Sequence, residues 1–87
     1  MKPIVVLKFG GTSRHIGELR RQGCDTVVVV SAMGRRGDPY ATDTLLDLMD
    51  RQRAPVHTQD MLASCGETIS ACIFAQTLEE LEIPAWP

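Results

Sequence analysis

No charge of either sign dominates this chain. Its 87 residues carry 9 lysines and arginines against 11 aspartates and glutamates, a formal net charge of −2. Bulk electrostatic attraction to DNA, RNA or an anionic membrane is therefore excluded. Cysteine is present three times, as Cys24, Cys65 and Cys72, but without a CxxC pair or a Cys/His pattern. That count supports neither a disulfide framework nor a zinc site. Cys65 and Cys72 on one helix would share a face, yet at about 1.5 Å per residue they sit roughly 10 Å apart, too far to bond. All three are expected to be reduced core thiols, which suits a cytoplasmic protein. No apolar run approaches the roughly 20 residues of a membrane span. The start, Met1-Lys2-Pro3 followed by Ile4–Leu7, lacks the length and cleavage site of a signal peptide. Internal repeats and low-complexity tracts are absent. With 44% hydrophobic and 23% charged residues, disorder, collagen and coiled coil are disfavoured. A mass of 9.6 kDa allows one small domain and leaves little material for a closed two-substrate cleft.

What is present reads as α/β. Ile4-Val5-Val6-Leu7 and Val27-Val28-Val29-Val30 are continuous β-branched runs, the pattern of strands buried on both faces of a parallel sheet. Each ends in small residues. Between them Ser13 is an expected N-cap and Gly23 an expected C′ stop, with Ile16 and Leu19 facing the sheet. The result is a right-handed βαβ unit whose crossover is near the minimum of about 10–12 residues. Asp38-Pro39 resembles an N-cap followed by proline at the first helical position, opening a helix over Tyr40–Arg53 that Ala54-Pro55 ends. A second long helix is expected from Ser64 to Leu81, with Leu62, Cys65, Ile69, Cys72 and Ile73 on its apolar face. Ile83–Pro87 reads as the beginning of a third strand.

Three segments have the chemistry of a site. In Lys8-Phe9-Gly10-Gly11-Thr12-Ser13, a lysine ends a buried strand at the edge where parallel sheets bind ligands. Glycines there let backbone N–H groups approach an anion, and a helix start adds its dipole. Phosphate binding is one reading; a glycine turn with a snorkelling lysine is the other. The string is neither a Walker A loop nor GxGxxG. In Ser31-Ala32-Met33-Gly34 the hydroxyl either meets a polar substrate or satisfies the loop's own backbone. Ser64-Cys65-Gly66-Glu67 has the spacing of a capping box, or else Glu67 grips a substrate ammonium. His15 and His57 lack metal spacing and are expected at a helix start or surface and in a loop. Arg35 and Arg36 read as a solvated loop, with a role near phosphate only if that loop folds over the site.

Taken in order, these segments resemble the aspartokinases. Lys8–Ser13 resembles their opening signature, and Val27–Gly34 their second strand and serine loop. Gly37–Leu46 resembles the following segment, particularly of Gram-positive-type members, and Leu62–Ser70 their S-x-G-E helix start. The resemblance implies an amino acid kinase fold, a three-layer αβα sandwich with a parallel sheet. It implies transfer of the γ-phosphoryl group of ATP, accompanied by Mg2+, to the side-chain carboxylate of L-aspartate, the first step toward lysine, threonine and methionine. By the same resemblance Lys8 stabilises charge on the transferring group, and Gly10, Gly11 and Ser13 face the ATP phosphates. Ser31, Thr42 and Glu67 match aspartate-binding positions, with Glu67 on the amino group. Positioning and charge neutralisation are what phosphoryl transfer needs.

The chain departs from that family in two ways. Residues 1–87 correspond to an N-terminal portion of the catalytic domain, without the later half that carries the nucleotide-base pocket and without ACT regulatory modules. The first crossover is also shorter than usual, and Arg14 stands where an aliphatic residue is common. The expectation is an aspartate kinase represented by a fragment. The alternatives are another amino acid kinase, or a non-catalytic module that binds aspartate or phosphate or complements another subunit. A homo-oligomer is the family's habit; nucleic acid and membrane are not expected partners.

Overall fold

The structure is a computed structural model, and it describes residues 2–8 and 13–87. Strand β1 (Ile4–Lys8) is followed by helix α1 (Ser13–Arg21), strand β2 (Asp25–Val29), the short helix α2 (Thr42–Leu46) and the long helix α3 (Val56–Glu80). The strands pair in parallel, with Ile4 opposite Asp25 and Lys8 opposite Val29. The α/β class and parallel pairing agree with the sequence. Helix α1 has Ser13 as its first helical residue, not its N-cap as expected; the N-cap position before it lies outside the described residues. It ends in a Schellman motif in which Cys24 N–H donates to the Leu19 carbonyl and Gly23 N–H to that of Arg20. Gly23 takes the required left-handed conformation, φ 83°.

Burial of the strands departs from expectation. Both strands alternate between exposed and half-buried residues. Ile4, Val6, Val27 and Val29 lie 68%, 63%, 51% and 47% exposed. Adjacent side chains of a strand point to opposite faces, so one sheet face is covered by α1 and faces α3, while the other is bare. The covered face is loosely filled. A cavity of about 420 Å³ separates Val28 and Val30 from Ala71, Phe74, Ala75 and Leu78. The accessible surface is 6596 Å², against about 5,100 Å² for a compact chain of this mass. The radius of gyration is 15.8 Å, against about 12 Å. Ile16, Ala41, Ala75 and Leu78 form the buried core.

Helix boundaries also move. Pro55 is the N-cap of a 25-residue α3, so the expected stop is a start. Gln59 Nε2 secures it by donating to the carbonyls of Arg51 and Ala54. Ser64 therefore lies inside a helix, where its hydroxyl donates to the Met61 carbonyl at 2.7 Å. No capping box forms, and His57 sits in the first turn of α3 rather than in a loop. The buried face of α3 is Gly66, Ser70, Ala75 and Leu78. Small residues allow close approach, and the helix is thereby turned so that Cys65 and Cys72 are exposed thiols, not core ones. Cys24 is half-buried and all three cysteines are free.

The helix expected over Tyr40–Arg53 contracts to α2. Beyond Leu46 the amides of Leu48 and Met49 bond three residues back. The Arg51 guanidinium folds over the helix end onto Asp47 Oδ1 and the Asp43 carbonyl, each at 2.8 Å. Asp38 is not the N-cap; that position is Ala41. Asp38 Oδ2 instead accepts from the Arg35 N–H at 2.7 Å, which closes the turn before α2. Ile83–Pro87 forms no strand. Ala85 N–H donates to Glu79 Oε1, and Trp86 is 95% exposed. Among the described residues no helix is long and apolar enough to cross a membrane.

Candidate functional site

The site is assembled at the carboxyl ends of the strands, the edge at which parallel sheets bind ligands. Lys8 is the last residue of β1 and is exposed. Its register partner Val29 ends β2, so the chain leaving β2 passes Ser31, also exposed, at the same edge.

What joins this edge to the helices is Gly66. A β-carbon placed there would stand 3.0 Å from Ala32 Cβ, 3.5 Å from the Tyr40 carbonyl oxygen and 3.7 Å from Leu45 Cδ1. The serine turn, the start of α2 and the middle of α3 thus converge on one hydrogen-only position. Ser31 adjoins Ala32, Thr42 opens α2 two residues after Tyr40, and Glu67 follows Gly66. Thr42 is half-buried, while Ser31 and Glu67 are exposed. The three residues matched to an amino-acid acceptor flank a common contact, although they lie far apart in sequence. Lys8 and Ser31 stand at the strand ends, and Thr42 and Glu67 lie beside the contact at Gly66; a cation, two hydroxyls and a carboxylate are the groups suited to a ligand bearing phosphate or carboxylate together with an ammonium.

The loop carrying Ser31 is held by its own packing. Gly34, at φ 95°, lies under the Tyr40 ring, where a β-carbon would come 2.6 Å from Cε2. Arg35 and Arg36 are exposed in this loop.

Two other expected residues, Gly10 and Gly11, lie outside the described residues. Ser13 opens α1 and lines a groove of about 660 Å³ with Lys2, Arg14, Arg20, Arg21 and Leu81–Ile83. Among the described residues, Lys8, Ser31, Thr42 and Glu67 do not line that groove. Among the described residues no cluster of His, Cys, Asp and Glu could hold a metal ion.

Gly66 and Gly34 carry only a weak sequence signal. Their signal was a glycine inside a helical run and a glycine closing a small-residue turn; what each abuts is a tertiary fact.

The profile of the amino acid kinase family matches residues 3–86. The chain belongs to that family. Among curated relatives of this amino acid kinase chain, Aspartokinase 1 of Bacillus subtilis (strain 168) is 50% identical over 88 residues, covering 86% of this chain and 22% of the relative. The aspartokinase of Mycobacterium tuberculosis (strain ATCC 25618 / H37Rv) is 40% identical, covering 90% of this chain and 20% of the relative. That of Thermus thermophilus is 35% identical over 95 residues, covering 94% and 22%. The chain spans about a fifth of the length of the curated relatives it matches. The 95-residue alignment is longer than this 87-residue chain, so that relative has residues with no counterpart here. The parallel pairing and intervening helix are consistent with the family's kinase fold.

Proposed function

We propose that this chain is the N-terminal portion of the catalytic domain of an aspartate kinase, phosphorylating the side-chain carboxylate of L-aspartate at the expense of ATP. The observation that supports this reading is the meeting of Ala32, Tyr40 and Leu45 at Gly66, next in sequence to Ser31, Thr42 and Glu67, while Lys8 ends the strand paired with the one that leads to Ser31. Membership of the family and the names of the aspartokinase relatives supply the reaction class. ATP with Mg2+, when bound, supplies the γ-phosphoryl group to the acceptor carboxylate. Lys8 fits the phosphate part of that ligand, being a cation at the exposed strand end, and neutralises charge on the transferring oxygens. Gly10 and Gly11 offer backbone donors, and Ser13 lies at the start of the helix that follows. Glu67 holds the ammonium of aspartate. Ser31 and Thr42 orient its carboxylates through hydroxyl donors, which fixes the attacking oxygen.

A second reading is favoured by the bare sheet face. With Ile4, Val6, Val27 and Val29 exposed, the 87 residues act as an aspartate- or phosphate-binding module that turns over only when another subunit covers that face. The deciding experiment traps the acyl phosphate as its hydroxamate, with L-aspartate and L-glutamate as acceptors, alongside calorimetric aspartate binding. Lys8→Ala lowers turnover by about 10²–10³-fold and leaves aspartate affinity unchanged. Glu67→Gln weakens aspartate binding by about tenfold or more. Aspartate binding without turnover in the 87-residue chain is expected of both readings; turnover restored by adding a separate subunit selects the second. Equal loss of turnover and affinity in Lys8→Ala contradicts the role given to Lys8.

A further inference from the structure

Helix α3 carries one buried hydroxyl, and it behaves unlike the exposed Ser64, Thr68 and Thr77. Ser64, Thr68 and Thr77 all turn back along the helix and donate to the carbonyls of Met61, Ser64 and Ile73, at 2.7, 3.3 and 3.0 Å. These three are exposed and have water as an alternative. Ser70 is the buried one, at 6% exposure, and its Oγ has no hydrogen-bond partner. Its own helix offers the same remedy one turn back, at Gly66, and the side chain does not take it. A buried hydroxyl left unpaired raises the energy of the arrangement that contains it.

The location gives the hydroxyl its meaning. Ala32 abuts α3 at Gly66, and Val30 lines a cavity together with Ala71 and Phe74. The stretch Val30–Ala32 thus runs from the cavity beside α3 to the contact at Gly66, and Ser70, one turn on from Gly66, lies on the same buried face of the helix. Ser31 is the middle residue of that stretch. We propose that Ser70 is a positioning residue for the acceptor site. Its hydroxyl is held for a main-chain group of Val30–Ala32 and engages that group when an amino-acid acceptor draws Ser31 into its binding position. This rests on the reading of Ser31 as an acceptor-binding residue. Ser70 Oγ is closed off from solvent and so acts through the Ser31 turn, not on the ligand. The unpaired hydroxyl disfavours the ligand-free arrangement, and the bond formed on engagement favours the bound one. A ligand shifts an equilibrium only through such a difference between states.

The test compares the parent 87-residue chain with Ser70→Ala and with Thr77→Ala as a control, using L-aspartate as the probe. Thermal melts, calorimetric titration and amide exchange at Ser31 and Ala32 are read for each. In the parent chain aspartate slows exchange at both amides. Ser70→Ala leaves the ligand-free melting temperature unchanged or higher, weakens aspartate binding by about 3- to 10-fold, and loses the ligand-dependent protection. Thr77→Ala, which removes an exposed bond to the helix's own backbone and gains helix propensity, leaves the melting temperature unchanged or slightly higher and keeps both the affinity and the ligand-dependent protection. Parent-like affinity and protection in Ser70→Ala overturn the positioning role alone. So does a lowered melting temperature with affinity intact, which marks a merely structural hydroxyl. No aspartate response in the parent chain overturns the acceptor-site reading, and the positioning role with it.

Discussion

Replacing Gly66 with alanine sets two effects of known sign against each other. In a helix interior alanine is favoured over glycine by about 1 kcal/mol. The new β-carbon, however, stands 3.0 Å from Ala32 Cβ, closer than packed carbons tolerate. The contacts to the Tyr40 carbonyl at 3.5 Å and Leu45 Cδ1 at 3.7 Å are ordinary. Ala32 Cβ is fixed to the backbone, so relief requires the serine turn itself to shift. Such overpacking costs about 1–3 kcal/mol, and Gly66→Ala alone is expected to be neutral to destabilising by about 2 kcal/mol. The decisive comparison adds Ala32→Gly. In that background the overlap is gone and Gly66→Ala stabilises by about 1 kcal/mol. The coupling between the two positions is thus about 1–3 kcal/mol, measured by urea denaturation of the four proteins of the cycle. Aspartate affinity should fall in Gly66→Ala and recover in the double variant, because the displaced turn carries Ser31. Additivity within about 0.5 kcal/mol would refute the claim that Gly66 is the contact joining the turn to α3.

Two more variants probe the frame around the site. Helix α3 ends in a Schellman motif, with Ile83 N–H donating to the Leu78 carbonyl and Glu82 N–H to that of Glu79; Glu82 thereby takes φ 63°, where α1 uses glycine. Glu82→Gly should stabilise by about 1 kcal/mol, raising the melting temperature by about 4–8 °C, whereas Glu82→Ala, which keeps the strain, should not; equal melting temperatures for the two would count against strain as the cause. Gly34→Ala combines a disfavoured φ with a β-carbon driven against the Tyr40 ring, and should destabilise by about 2–4 kcal/mol. A melting temperature unchanged from the parent chain would show that the ring does not rest on Gly34.

The segments that resemble a kinase were legible because their chemistry is local. β-branched runs specify strands whatever surrounds them, and Gly23 stops α1 because a left-handed residue is needed there. Lys8 at a strand end and Ser31 after the next strand follow from strand boundaries and parallel pairing alone. Errors arose where a local signal had two outcomes. Pro55 reads as a stop for one helix or a first position for the next, and only the hydrogen bonds from Gln59 decide for the latter. Ser64 and Glu67 have the spacing of a cap, but a helix already running from Val56 leaves nothing there to cap. A run of valines says that a strand is apolar, not what lies on each of its faces.

The sequence by itself determined the β–α–β order and the set of polar residues at the strand ends, since both depend on contacts within a few residues. Tertiary structure alone decided that Ala32, Tyr40 and Leu45 meet at Gly66, and that Ser70 is buried without a bond. Such contacts join residues distant along the chain, and their geometry depends on how closely two backbones approach. It decided as well that one apolar sheet face lies open, because burial depends on what is packed above a strand and not on the strand's own residues.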